Sequence, residues 1–146
     1  MSMSNTSENN LLLLLFNNTN WANLGDATGL RSSTTAGSFH ISLHTADPGE
    51  AGSQTTSEIS YTGYSRVAVA RSGSGFTVTG ASVSNAAAVT FGACTAGSGT
   101  ATHFSIGRDA SGTGEIIISG ALSASLAISA GITPQFAIGQ MTATAD

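Results

Sequence analysis

From Ser38 onward, apolar side chains recur at every second position in short runs closed by glycine, and no other feature constrains the fold as strongly. Phe39, Ile41 and Leu43 alternate with His40, Ser42 and His44. In an extended chain successive side chains point to opposite faces, so this run predicts a half-buried strand. Short runs of the same kind follow around residues 67–69, 76–78, 83, 89–91, 104–106, 126–128 and 136–138. Ile116, Ile117 and Ile118 are instead continuously apolar, which predicts a strand buried on both faces or lying at a subunit contact. Turns are supplied by Gly73 and Gly75, by Gly97 and Gly99, and by the tip Asp109-Ala110-Ser111-Gly112. Short strands at spacings of about 8–12 residues predict an all-β chain, a β-sandwich of jelly-roll-like kind. Pro134 cannot donate to a ladder, so its strand belongs at an edge or begins near it.

The first 37 residues follow another pattern. Asn5, with Glu8 three positions later, resembles an N-cap with its reciprocal acid and predicts a helix from about Asn5 to Phe16. Leu11, Leu12, Leu13, Leu14 and Leu15 point all round such a helix, so it should be buried on more than one side. Asn17 to Asn20 ends it, and Trp21 to Leu30 reads as a short helix or loop punctuated by Gly25 and Gly29. The chain therefore divides into a helical, anchoring segment over 1–37 and a β-sandwich domain over 38–146. Six apolar residues ending at Phe16, with no Arg or Lys before them, are too few for a signal core or a span. Neither secretion nor membrane insertion is expected. Leu11 to Leu15, Phe16 and Trp21, together with Ile116, Ile117 and Ile118, are the candidate anchor and interface residues.

Composition explains why interfaces are the place to look. Charged residues are 8% of the chain, against roughly 25% in ordinary soluble proteins. There is no lysine, and Arg31, Arg66, Arg71 and Arg108 are the four arginines. Pinning a lysine in a contact costs up to about 2 kcal/mol of rotamer entropy, whereas Ala and Gly cost almost nothing. A surface of Ser, Thr, Ala and Gly is thus easily desolvated, and it predicts a self-associating subunit, a homotrimer being the expected state. Four scattered arginines and a net charge of −4 cannot form a basic patch, so nucleic acid is not an expected partner. The single cysteine, Cys94, excludes an intrachain disulfide and reads as a small buried side chain.

No constellation points to chemistry. On a strand, His40 and His44 lie on one face but roughly 13 Å apart, beyond the reach of one metal ion. Only His103, pairing across strands with one of them, could bring two imidazoles together. Asp47-Pro48-Gly49-Glu50 is a turn sequence without the further acids of a calcium cage. Nucleophile elbow, phosphate loop and dinucleotide fingerprint are all missing. No catalytic residue, metal ligand or cofactor site is therefore expected.

Certain runs are distinctive. Leu43-His44-Thr45-Ala46-Asp47-Pro48-Gly49-Glu50, Gly63-Tyr64-Ser65-Arg66 and Val83-Ser84-Asn85-Ala86-Ala87-Ala88-Val89-Thr90-Phe91 occur in that order. Ala101-Thr102-His103-Phe104-Ser105-Ile106-Gly107 and Gly120-Ala121-Leu122 follow them. With Met3-Ser4-Asn5 and the leucine-rich helix, these resemble a family of small phage and prophage virion proteins often labelled tail fibre proteins. One departure is the stretch from Gly25 to Ser38, longer and more polar than the usual connection to the first strand. The resemblance implies a non-enzymatic virion structural protein assembled in the host bacterial cytoplasm. Its partners would be its own copies and other virion proteins, such as the major capsid protein. A capsid decoration, or cement, subunit is the first expectation. A tail-fibre or tail-tip component is the alternative, and a carbohydrate-binding adhesin a third. Trp21, Tyr61 and Tyr64, the only Trp and Tyr residues, make a poor supply of sugar platforms.

Overall fold

The structure, a computed structural model, describes residues 2–25 and 29–145. Among them the chain forms helix α1 (Asn5–Phe16) and strands β1 (Ser38–His44), β2 (Val67–Ala70), β3 (Phe76–Thr79), β4 (Ser82–Asn85) and β5 (Val89–Thr90). Then come β6 (Ser98–Gly107), β7 (Ile116–Ser129), β8 (Gln135–Phe136) and β9 (Thr142–Thr144). The sheets run β2-β1-β6-β7, β3-β4-β9 and β5-β8. The protein is thus all-β with one short N-terminal helix. Two compact units divide it, one of Met1–Ser38, Ala70–Ala88 and Phe136–Asp146, the other of Phe39–Val69 and Val89–Gln135. The change of pattern at residue 37 is a division of sequence; in space the N-terminal residues share a unit with the β3–β4 hairpin.

In the first unit β3 and β4 pair antiparallel from Phe76 opposite Asn85 to Thr79 opposite Ser82, and β9 adds to β4. The connection is Gly80-Ala81, and Gly80 takes the positive φ (+59°) that tight hairpin turns need. Helix α1 docks on this hairpin. Phe16 meets Phe76 edge to face at 5.0 Å between ring centres, and the Asn9 amide donates to the Gly80 carbonyl at 3.0 Å. The N-cap is Ser4, whose hydroxyl accepts from the Ser7 N–H, rather than Asn5. Burial around the helix is uneven. Glu8, Leu12 and Phe16, four apart, form its buried stripe, while Leu11, Leu13, Leu14 and Leu15 are half-buried. Its last turn has no cation of its own. Arg71 supplies one, donating to the carbonyls of Leu15 (2.6 Å) and Leu14 (3.0 Å) and to that of Ala36 (3.0 Å). Asn85, buried, accepts from the Met141 N–H and donates to the Ala87 and Ala137 carbonyls. Trp21 and Leu30 exchange backbone hydrogen bonds at 2.9 Å; residues 26–28 of the expected short helix or loop lie outside the described residues.

The second unit is built on the long antiparallel pairing of β1, β6 and β7. Ile41 faces Ile106 and Ile106 faces Ile118, so one side of the sheet is an apolar row. On the same side Leu43 faces Phe104, whose ring covers Gly120 closely enough that a Cβ there would sit 3.1 Å away. The opposite side carries Ser42, Ser105 and Ser119 in one row, with His44 opposite His103. The half-burial expected of β1 fails here, because Ser42 and His44 are wholly buried as well. Residues 116–118 and 126–128, expected as separate strands, are the two ends of β7. Between them residues 122–125 face the single residue Thr102, a bulge that bends the strand. β8 begins directly after Pro134, as its missing N–H requires.

Candidate functional site

The polar side of β1 and β6 holds a buried hydrogen-bonded cluster. His44 Nδ1 lies 2.8 Å from the Thr56 carbonyl oxygen, which can only accept, so the proton sits on Nδ1. Nε2 is then an acceptor for the Ser105 hydroxyl at 2.9 Å, and the Ser42 hydroxyl donates to Ser105 at 2.7 Å. The imidazole pKa is lowered, chiefly by burial. A serine hydroxyl on a neutral histidine is half of a hydrolytic arrangement. Here the histidine is oriented by a backbone carbonyl, not a carboxylate, and Ser42, His44 and Ser105 are all 0% exposed. Their bonds hold the 45–58 loop against the sheet.

Beside them lies an ion pair that sequence reasoning missed. Arg66 donates from Nη2 and Nε to the two Glu58 oxygens at 2.7 and 2.8 Å. It also donates to the carbonyls of Asp109 (3.0 Å) and Gly112 (2.8 Å). The Tyr64 hydroxyl donates to Glu58 and accepts from the Leu43 N–H, and burial pushes its pKa upward. Gln54, fully buried, donates to the His40 carbonyl and accepts from the Asp109 N–H. The signal in the sequence was the Gly63-Tyr64-Ser65-Arg66 run itself, but its acidic partner Glu58 lies in an unremarkable stretch. Tyr61 is buried and Tyr64 half-buried, Tyr64 stacking on Phe91 at 6.1 Å and meeting Tyr61 edge-on at 5.4 Å.

Asp47-Pro48-Gly49-Glu50 forms the expected turn. The Asp47 carboxylate accepts from the Gly49 N–H at 2.9 Å, and Gly49 takes φ +69°. Gly49 and Glu50 then form one wall of an open groove of about 450 Å³ whose other wall is Ile116, Ile117, Ile118 and Ser119. The three isoleucines are half-buried. Of the remaining expected interface residues, Leu12 and Phe16 are buried, while Leu11, Leu13, Leu14, Leu15 and Trp21 are half-buried. His40 bonds to the Arg108 carbonyl and His103 to the Thr102 hydroxyl, so the histidines are engaged separately. Among the described residues no group of three or more His, Cys, Asp or Glu could hold a metal ion. No helix there is long and apolar enough to cross a membrane. Cys94 is buried and unpaired.

Comparison with known proteins agrees with a structural reading. Residues 2–144 match the family model Gp80, described as podophage GP4 fiber I protein gp80. No curated protein matches the chain.

Proposed function

Because the chain belongs to the family of the podophage GP4 fiber I protein gp80, we propose that it is a non-enzymatic fibre component of a podophage virion, acting through contacts with its own copies and with other virion proteins. The observation that carries this is the extent of the match, residues 2–144, to a family described as a fibre protein. The family is named for a fibre, which favours a fibre position over the capsid-decoration position expected first.

Two structural facts support a role without chemistry. The His44–Ser105 pair is sealed, and Tyr61 and the 58–66 ion-pair network are spent on the interior. That use of tyrosine also weighs against the adhesin, since Tyr61 is buried and the half-buried Tyr64 has its ring stacked on Phe91 and its hydroxyl bonded to Glu58. The surface carries few charges, which suits a subunit that spends its life in contact with protein. Assembly belongs in the host cytoplasm, where an unpaired cysteine stays reduced. Nucleic acid and membrane play no part in this reading. Immunogold labelling of intact particles tests it: label along fibres supports the proposal, label over capsid facets supports decoration instead, and unlabelled particles refute both.

A further inference from the structure

We propose that β7 is a docking edge that takes the β7 strand of a second copy of this chain, antiparallel about a two-fold axis. The proposal rests on the reading of the protein as a self-assembling subunit and names the surface it uses. Among the described residues β7 ends its sheet, with β6 as its one strand neighbour; a bridge of Ser53 to Glu115 covers the edge just before Ile116, and beyond it no strand lies along the outer row of N–H and C=O groups. Sheet edges left in that state are templates for another strand, and proteins usually blunt them with lysine, proline or brevity. β7 has none of these: its fourteen residues, Ile116 to Ser129, include no charge and no proline. The opposite edge is blunted. Its strand, β2, is only four residues long.

The features at the two ends of β7 identify the occupant. At its start Ile116, Ile117 and Ile118 line the groove beside Gly49 and Glu50. Just past its end stands Ile132, 40% exposed. Antiparallel pairing of the strand with itself brings the second copy's Ile132 toward that groove, and does so twice, once on each side of the axis. An uncharged strand also meets its own copy without like-charge repulsion, whereas it offers nothing to select a charged partner. The bend at residues 122–125 falls at mid-strand, where the axis passes. Because four residues bulge opposite Thr102, β7 spans the ten residues of β6, a strip of roughly 33 Å, and at about 10 Å deep it buries roughly 660 Å² over both copies. Filling the two grooves carries that toward the roughly 1,200 Å² at which specific interfaces begin.

Such an interface is modest, so association should depend on concentration. The test is sedimentation mass over a dilution series of the full chain, with amide exchange read at residues 116–121. The expected result is a shift from monomer to twice the monomer mass, with those amides slowing as dimer forms. Ser119→Lys, at an exposed edge position, and Ile132→Ser should each hold the chain monomeric with an unchanged melting temperature, while Ser119→Thr still pairs. A monomer at every concentration overturns the proposal. So does an oligomer, a trimer included, in which residues 116–121 exchange freely or which both variants leave intact. Immunogold labelling reads the particle location independently, so a negative result there leaves this one standing.

Discussion

Arg66 and Glu58 form a two-pronged ion pair, at 2.7 and 2.8 Å, in which the arginine side chain is only 3% exposed. The same guanidinium holds the Asp109 and Gly112 carbonyls, so one side chain ties the 58–66 segment to the loop between β6 and β7. Removing one partner of a buried pair costs about 3–5 kcal/mol, because the other charge is left without compensation. Arg66→Ala should therefore lower unfolding free energy by several kcal/mol. Arg66→Lys, which keeps the charge and loses the fork, should fall in between. A loss below about 1 kcal/mol in urea titration would mean that the pair is solvated and incidental.

His44 makes stability depend on pH. Its pKa is lowered by burial first, with Arg66 and His103 pushing the same way against the Thr56 carbonyl and Glu58. In the unfolded chain the imidazole titrates near 6.5. Below that value the unfolded state binds the proton that the folded state refuses, so stability is full above about pH 6.5 and is lost as pH falls toward the folded value. The urea midpoint should drop between about pH 7 and pH 5, and His44→Gln should flatten the slope. An unchanged midpoint in the native chain would place the imidazole in water.

Helix α1 stabilises its own unit through Phe16 and Arg71. Truncating a buried phenylalanine costs about 3–5 kcal/mol in transfer and cavity terms. Phe16→Ala should show that loss, together with faster amide exchange in β3 and β4. Arg71→Ala strips a charged donor from the carbonyls of Leu14 and Leu15, with an expected loss of about 1.5–3 kcal/mol. If Phe16→Ala unfolds at the native denaturant concentration, the contact with Phe76 contributes nothing.

Gln54 is enclosed by glycines. A Cβ on Gly107 would lie 2.1 Å from its amide carbon, so Gly107→Ala forces the buried side chain out of place. Overpacking of this kind costs about 1–3 kcal/mol. Adding Gln54→Ala removes the obstacle, so the double variant should be more stable than the sum of the single losses requires, with a coupling of at least about 0.5 kcal/mol. Strict additivity in the cycle would show that the glycine is retained for another reason.

The parts of this architecture that were legible in the sequence are those set by local period. Alternation around Phe39 and Phe104 and the turn at Asp47 are written in neighbouring residues, and so is the Asn5–Phe16 helix. The cap slipped by one because Ser4 and Asn5 are both good capping residues. β7 was read as two strands because the run from Ser119 to Ser125 is too small and polar to carry an apolar alternation. What decided its conformation was the partner strand β6, far away in sequence. The burial of Ser42 and His44 was hidden for the same reason. Their alternation says polar face, and only the return of Gln54, Thr56 and Glu58 over that face buries it. Ile116 to Ile118 stood out because three consecutive isoleucines fit neither face of a half-buried strand, and they line the groove at the sheet's edge.

The central claim is a place in a particle, and a reconstruction of purified virions tests it most directly. The account predicts density within the fibres for both parts of this fold, the helix docked on its hairpin and the four-stranded sheet β2-β1-β6-β7. Particles shown by mass spectrometry to lack the chain, with fibres fully explained by other proteins, would contradict it.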